Sequence, residues 1–165
     1  KLILQVTNAC DVDIRQAIFC CSSKGGFAAI YHAYLAHAGY AVAGGPQVLL
    51  GNYLNVDSEA SIRPPILRYL AGNNSLEAVN WANGLLFNKI SSAKGAHPQL
   101  YIHVGREEPH YENHVLPLIE YLASNGAIHP RVDLADYAKH EELAAHFPPY
   151  LRRTVTNLLD NGSSV

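Results

Sequence analysis

The sequence has no cluster of lysine or arginine residues, no long apolar run and no common phosphate-binding motif. The chain has 12 Lys and Arg residues and 14 Asp and Glu residues, which gives a formal charge of −2. A positively charged surface for binding nucleic acid is therefore not expected. No unbroken apolar stretch reaches the roughly 18 residues of a transmembrane helix, and no signal peptide is visible. We therefore predict a cytoplasmic protein without membrane spans or nucleic-acid partners.

Cysteine is also scarce, since the chain has only three: Cys10, Cys20 and Cys21. An odd number cannot pair completely within one chain. Adjacent residues of a strand point to opposite faces, so Cys20 and Cys21 are expected on opposite sides of a sheet. We interpret all three as buried free thiols of a reducing compartment.

What the chain does have is a regular alternation of short apolar runs with helical patterns. Apolar residues make up 48% of the sequence, which is typical of a globular chain. We predict strands at Leu2–Thr7, Arg15–Cys21, Tyr40–Ala43 and Gln99–Val104, and a last one within 127–134. We predict helices at Lys24–Ala38, from near Pro65, at Leu76–Ile90, at Asn113–Ser124 and at Glu141–Leu159, with Gly39 and Ser75 as caps and a break at Pro148 and Pro149.

This order of elements predicts an α/β fold with three layers, α/β/α, and a mostly parallel sheet. The length corresponds to one domain, residues 1–165. The stretch 47–95 is rich in asparagine and interrupts the alternation. We interpret it as a helical insertion or cap between sheet strands.

Ser23 lies between a predicted buried strand and a predicted helix. This is the layout of a nucleophile elbow, a sharp turn that needs small residues two before and two after the serine. Those positions hold Cys21 and Gly25, so the pattern is C-x-S-x-G. The alternative is that Ser23 caps the helix. A phosphate loop is disfavoured because neither G-x-x-x-x-G-K-[ST] nor G-x-G-x-x-G occurs.

Two later strand ends carry groups that could act with this serine. Glu107 and Glu108 follow the Gln99–Val104 strand, and His140 follows the last strand. Functional groups of parallel sheets gather at the carboxyl ends of the strands. The order nucleophile, acid, histidine is that of an α/β-hydrolase triad, although a solvated carboxylate and a packed histidine are the structural alternatives.

Several motifs over about residues 18–151 together carry a resemblance. They are Ser22-Ser23-Lys24-Gly25-Gly26, Ala43-Gly44-Gly45-Pro46-Gln47 with Leu50-Gly51-Asn52-Tyr53-Leu54, His114-Val115-Leu116-Pro117-Leu118-Ile119, and Tyr137-x-x-His140 with Phe147-x-x-Tyr150-Leu151. With these motifs the chain resembles one known group of proteins, the α/β-hydrolase-like proteins of the accessory Sec system acetyltransferase type and their capsular-polysaccharide-biosynthesis relatives.

The resemblance implies a truncated α/β-hydrolase-like fold and a Ser–acid–His triad. Ser23 matches the nucleophile and His140 the histidine, and Glu108 matches the acid, with Glu107 as its competitor. The Lys24 backbone N–H is expected to be one oxyanion donor. The second donor is assigned to Asn8 or Ala9, since few strands precede the elbow.

Other residues are candidates for ligand binding. Gln47, Tyr53 and Trp81 are expected to contact substrate, with aromatic stacking on a sugar, while packing in the core or cap is the alternative. His103, His110 and His114 raise the question of a metal. No H-E-x-x-H occurs, so neither a metal nor a cofactor is expected.

The function expected from these features is that of a serine-dependent acyl hydrolase or acyltransferase. The resemblance implies a bacterial surface glycan or glycoprotein, or a small acylated molecule, as substrate. The alternative is a non-catalytic, hydrolase-like interaction subunit of a polysaccharide-synthesis or glycoprotein-export complex. A nucleotide-binding flavodoxin-like domain is a third and weaker possibility.

Overall fold

Four parallel strands form the sheet at the centre of the molecule, in the order β1-β2-β3-β4. The computed structural model describes residues 2–56, 61–93, 95, 97–126 and 129–162. Neighbouring strands are consecutive in the chain, so each crossover returns to the adjacent position. The strands are β1 (Ile18–Ser22), β2 (Tyr40–Gly44), β3 (Gln99–Gly105) and β4 (Arg131–Ala135).

Helices precede, connect and follow these strands. A π-helical turn, Tyr111–Val115, leads directly into the helix after β3, and short 3-10 turns lie at Ile14–Gln16 and His140–Glu142. The helices are α1 (Leu2–Ala9), α2 (Lys24–Ala36), α3 (Leu50–Leu54), α4 (Arg63–Ala71), α5 (Leu76–Ser91), α6 (Leu116–Ser124) and α7 (Leu143–Gly162).

The two faces of the sheet are covered by different helices. On one face, Ala41, Ala43 and Ile102 pack with residues of α2, α5 and α6 in the largest hydrophobic cluster. On the other face, Val42 and Tyr101 pack with residues of α7. Successive strand residues therefore point to opposite helical layers. The predicted three-layer α/β fold with parallel strands is confirmed.

The helices between β2 and β3 pack in two places. The later part of α5 carries Leu86 and Ile90 into the large cluster beneath the sheet. Its earlier part, with Val79 and Ala82, packs with α3 and α4 in a separate small cluster. The interpretation of 47–95 as an insertion or cap in a single domain stays a prediction.

The first predicted strand is wrong, because Leu2–Ala9 forms helix α1. Leu2, Leu4 and Val6 are all exposed, so burial against a sheet does not stabilise an extended conformation here. An apolar run this short does not distinguish helix from strand by its pattern. Local backbone hydrogen bonds therefore determine the outcome.

The predicted break of the last helix at Pro148 and Pro149 is also wrong, since α7 continues through both prolines. A proline removes the hydrogen bond to the carbonyl four residues earlier. Here those carbonyls belong to Ala144 and Ala145, which are exposed. Solvent can reach them, and the apolar face of α7 remains packed on the sheet.

The two predicted caps have different outcomes. The Ser75 side chain accepts a hydrogen bond from the Ala78 N–H at 3.3 Å, which confirms it as the N-cap of α5. The left-handed residue at the end of α2 is His37, with φ 56°, and not Gly39. Gly39 is needed for another reason, because a Cβ there would lie 1.7 Å from the Arg15 carbonyl oxygen.

The prediction of buried thiols is wrong for all three cysteines, which are exposed and free. Cys20 and Cys21 lie on β1, an outer strand of the described sheet. An outer strand has a neighbour on one side only, so its side chains are less covered. The Cys20 thiol is nevertheless partly desolvated, and this desolvation, with a further contribution from Cys21, raises its pKa above the ordinary value.

No helix among the residues that the structure describes is both long enough and apolar enough to cross a membrane. The last strand lies at Arg131–Ala135, within the predicted stretch and one residue beyond it. Ala127 and Ile128, where that stretch begins, lie outside the described residues.

The contact between α3 and α5 predicts a sharp difference between two glycine substitutions. A Cβ at Gly51 would lie 2.0 Å from the Val79 carbonyl oxygen. Gly51→Ala should therefore lower the free energy of unfolding by about 1–3 kcal/mol, as overpacking does. Urea unfolding followed by circular dichroism measures this.

The matched control is Gly84→Ala, in the helical interior of α5. Its Cβ meets only the flexible Asn88 side chain, at 3.3 Å. Alanine is the better helix former by about 0.5–1 kcal/mol, so this variant should be at least as stable as the wild type. Equal effects of the two substitutions would contradict the packing described here.

Candidate active site

Ser23 lies at the turn from β1 to α2 in a conformation that few non-glycine residues adopt. Its φ and ψ are 57° and −127°, and its side chain makes no hydrogen bond that caps α2. Its N–H donates to the Gly44 carbonyl at 2.7 Å. Such strained backbone persists where the surroundings enforce it, and it is concentrated at functional sites. The local geometry therefore favours an elbow over a capping role.

Cys21 and Gly25 form a complementary pair on the two sides of this elbow. A Cβ on Gly25 would lie 2.2 Å from the Cys21 sulfur. The thiol therefore occupies the space that any side chain at Gly25 would need. Cysteine at position 21 is therefore accommodated because position 25 is glycine.

Three predicted residues meet in one hydrogen-bonded chain. The Ser23 Oγ lies 2.9 Å from His140 Nε2, and His140 Nδ1 lies 2.5 Å from Glu108 Oε1. The second Glu108 oxygen accepts the Gly105 N–H at 3.2 Å. Glu107 is exposed, so of the two adjacent acids only Glu108 faces the histidine.

Gly45 makes room for this chain at the end of β2. Its φ is +45°, and a Cβ there would lie 3.1 Å from Glu108 Oε1 and 3.3 Å from His140 Cε1. Its N–H donates to the His103 carbonyl at 2.7 Å. The residue thus combines a backbone conformation that favours glycine with a close approach to both side chains.

Glu108 is almost completely buried, at 1% exposure. Burial alone would raise its pKa, but its contacts with His110, His140 and the Gly105 N–H hold the pKa well below the ordinary value. Stabilisation of the charged form by donors exceeds its desolvation. The carboxylate therefore stays ionised over the whole neutral and moderately acidic range.

A second histidine, which the sequence raised only as a possible metal ligand, lies against the same carboxylate. His110 Nδ1 is 2.9 Å from Glu108 Oε1, although it is not aligned for a hydrogen bond. The His110 and His140 rings are 4.1 Å apart. The sequence did contain a signal for this contact: His110 comes two residues after Glu108, separated from it only by Pro109, so the two side chains belong to the same short loop.

Gln47 closes a ring of contacts around the serine. The residue is fully buried, and its Nε2 donates to Ser23 Oγ at 2.9 Å. The same nitrogen lies 3.3 Å from His110 Nε2. Gln47 was expected to contact substrate, whereas in this structure it contacts the serine itself.

A cleft of about 520 Å³ opens beside His110. Tyr53 lies in its wall, with the Arg63 guanidinium 4.2 Å above its ring centroid. Trp81 is 48% exposed and lines a different cleft, between α4 and α5. The structure therefore brings Tyr53, but not Trp81, to the cleft beside His110. The cleft is lined by Leu49, Asn52, Tyr53, Val56, Arg63, Pro109, His110, Glu112, Asn113, His114 and Pro117.

The two expected oxyanion donors occupy different regions. Lys24 is the first residue of α2, directly after Ser23. Asn8 and Ala9 belong to α1, and Asn8 lines a surface cleft that shares no lining residue with the Ser23 chain. The role of the Lys24 N–H stays a prediction, and the position of α1 gives no support to Asn8 or Ala9.

The histidines singled out as possible metal ligands do not act as one group. His103 contacts Asp133 at 2.7 Å and packs against Phe147 of α7. Donor atoms of Glu108, His110 and His140 do lie within 4.8 Å of one another and could hold an ion. In the described structure these atoms contact each other, and the absence of a metal stays a prediction.

His114 lies in the cleft wall, where a buried histidine predicts a pH-dependent stability. Burial, followed by the charges of His110 and His140, lowers its pKa from 6.5 to about 4. Between these values the unfolded chain binds a proton that the folded chain does not, so stability falls as pH decreases. The free energy of unfolding should drop by roughly 2 kcal/mol from this group between pH 7 and pH 5.

Urea unfolding at both pH values measures this loss in the wild type and in His114→Gln. The glutamine can still accept the Leu49 N–H that now donates to His114 Nδ1 at 3.2 Å, so the variant should lose less stability on acidification. His32→Gln, on the exposed side of α2, should keep the wild-type dependence. An unchanged dependence in His114→Gln would refute the assignment.

Comparison with known proteins finds similarity in structure and none in sequence families. No protein-family model matches the chain, and no curated protein sequence matches it significantly. The capsule O-acetyltransferase of Neisseria meningitidis serogroup A matches with a TM-score of 0.77 and 19% identity, over 94% of this chain and 62% of that one.

Two further solved structures match over nearly the whole chain. The Glycosylation Associate Protein (Gap123) complex from Streptococcus agalactiae gives a TM-score of 0.74 and 17% identity, over 94% of this chain and 32% of that one. A fluorophosphonate-binding serine hydrolase of Staphylococcus aureus, FphF, gives 0.68 and 18%, over 95% and 62%. The chain thus spans less than two thirds of these proteins, and at such identities the likeness shows a shared α/β-hydrolase-like fold.

Proposed function

We propose that the protein is a serine-dependent acyl hydrolase or acyltransferase that acts on a bacterial surface glycan or glycoprotein. The observation that carries the proposal is the chain of contacts from Ser23 Oγ through His140 to the buried Glu108, at 2.9 Å and 2.5 Å. A serine hydroxyl becomes a useful nucleophile when a base accepts its proton and a third group orients that base.

The protonation states in this chain favour attack by the serine. Glu108 is ionised, so His140 Nδ1 carries the proton that is shared with it. His140 Nε2 is then an acceptor, and the Ser23 hydroxyl donates to it. As Ser23 Oγ bonds to the acyl carbon, its proton passes to Nε2, and the ionised Glu108 stabilises the resulting imidazolium.

In the later steps His140 acts first as an acid and then again as a base. His140 gives its proton to the leaving alcohol, and an acyl-serine remains. An incoming hydroxyl then loses its proton to His140 as its oxygen attacks the acyl carbon. The bond from that carbon to Oγ breaks, and His140 returns the proton to Ser23 Oγ. Water as the acceptor gives hydrolysis, and a sugar hydroxyl gives acyl transfer.

The cleft beside His110 is the proposed substrate site. The Tyr53 ring and the Arg63 guanidinium stacked on it provide a flat surface for a sugar ring, and Asn52 and Asn113 in the same wall provide amide hydrogen bonds. The names of two structural neighbours, a capsule O-acetyltransferase and a glycosylation-associated complex, support a glycan substrate. A substrate contact by Trp81 stays a prediction without support from its position.

A second candidate function is that of a non-catalytic subunit in a glycan-synthesis or export complex. It is favoured by the likeness to a protein of the Gap123 complex. Binding of a partner or glycan that persists in Ser23→Ala, together with a wild-type protein that forms no acyl-serine, would support this candidate.

The first test is covalent labelling with a fluorophosphonate probe. The wild type should be labelled at one site, and Ser23→Ala should abolish labelling because the attacking oxygen is absent. Ser22→Ala is the matched control, since Ser22 is the preceding residue at the end of β1, and it should be labelled as the wild type is. A folded wild-type protein that remains unlabelled would refute the catalytic proposal.

The second test distinguishes the two adjacent acids. Glu108→Gln removes the charge that orients His140, so the labelling rate constant should fall about 10³–10⁴-fold, as expected for loss of a triad carboxylate. Glu107→Gln changes an exposed side chain and should leave the rate unchanged. Equal rates in the two variants would show that Glu108 does not support His140.

A further inference from the structure

Gln47 has the features of a group that takes part in the proposed acyl transfer, beyond a role in packing. Its side chain is fully buried, and its Nε2 donates to Ser23 Oγ at 2.9 Å. Its Oε1 has no hydrogen-bond partner among the residues that the structure describes. Buried polar atoms without partners are rare and destabilising, so the amide is held for its N–H groups.

The orientation of this amide follows from Glu108. His110 Nδ1 lies 2.9 Å from the ionised Glu108 Oε1. Although the two atoms are not aligned for a hydrogen bond, the negative charge of the carboxylate favours the positive end of an N–H dipole over a lone pair on this nitrogen. The neutral tautomer with its proton on Nδ1 leaves Nε2 as an acceptor. Since His110 Nε2 lies 3.3 Å from Gln47 Nε2, one amide hydrogen points to His110 and the other to Ser23.

The geometry points to Gln47 as the second hydrogen-bond donor to the oxyanion, alongside the Lys24 N–H, and to His110 as the positioning residue that orients it. This inference rests on the proposed acyl transfer at Ser23. It replaces the expectation that Asn8 or Ala9 supplies this donor.

The chemistry of the attack step places the amide in a useful position. The bond from Ser23 Oγ to the acyl carbon forms as the hydroxyl proton moves to His140 Nε2. The carbonyl π electrons move onto the carbonyl oxygen, which becomes the oxyanion. The oxyanion and Oγ are then bonded to the same carbon, so an amide that already contacts Oγ needs only a small rotation to donate to the oxyanion.

The central test is Gln47→Met, which keeps the length of the side chain and removes both N–H groups. With p-nitrophenyl acetate, kcat should fall about 10²–10³-fold, the usual effect of losing one oxyanion donor, while KM changes little. Gln16→Met, on the exposed turn before β1, is the matched control and should keep wild-type kcat. A wild-type kcat in Gln47→Met would overturn the inference.

Substitution of His110 tests whether the orientation of the Gln47 amide affects the rate. His110→Phe keeps a ring and removes the acceptor for the amide, so kcat should fall about tenfold. If His110 acts through Gln47, the double variant Gln47→Met/His110→Phe should be no slower than Gln47→Met alone, because coupled residues are not additive. Fully multiplied losses would overturn the positioning role.

Two measurements separate the loss of an oxyanion donor from a structural defect and from a failure of the proposed function. The fraction of protein that a fluorophosphonate labels at long times reports the number of folded sites, and it should be unchanged in Gln47→Met, whereas a structural defect would lower it. Normal Ser23-dependent labelling with a wild-type kcat in Gln47→Met overturns the inference alone. A wild type that is never labelled overturns the proposed function and this inference together.

Discussion

The buried negative charge of Glu108 is the feature on which the candidate site depends. Removing a carboxylate from water costs several kcal/mol, and it is stable only where donors surround it. Here one oxygen faces both His140 and His110, at 2.5 Å and 2.9 Å, and the other accepts the Gly105 N–H. These contacts hold both imidazole rings against the same carboxylate oxygen. In the proposed mechanism, one carboxylate therefore prepares the base for Ser23 and, through His110, orients the Gln47 amide.

The positions of the strand ends and of two glycines bring these groups together. Ser23, Gly45 and Glu108 follow β1, β2 and β3, and His140 follows β4, so all four lie at the carboxyl edge of one parallel sheet. The elbow depends on glycine at 25, and the approach of the histidine to the acid depends on glycine at 45. A Cβ at Gly25 would collide with the Cys21 side chain, and a Cβ at Gly45 would crowd Glu108 and His140.

Much of this could be predicted from the sequence because strand ends in a parallel sheet converge regardless of their separation along the chain. That rule located Ser23, His140 and the acidic pair. It could not choose between Glu107 and Glu108, since the choice depends on which side chain turns inward after β3. The strand predicted at Leu2–Thr7 failed for a related reason: local pattern does not reveal whether a neighbouring strand exists. His110 and Gln47 were missed as partners because their contacts are purely tertiary.

Two unfavourable features occur within one hydrogen bond of each other, and this is the strongest physical argument for chemistry at the site. Ser23 has a positive φ without being glycine, and Gln47 leaves a buried carbonyl without a partner in the described structure. Either feature alone could be an accident of packing. Together they point the hydroxyl and the amide at each other at 2.9 Å. Stability alone would favour a relaxed serine backbone and an apolar residue in place of the glutamine. The proposed acyl transfer, in contrast, uses both groups where they lie.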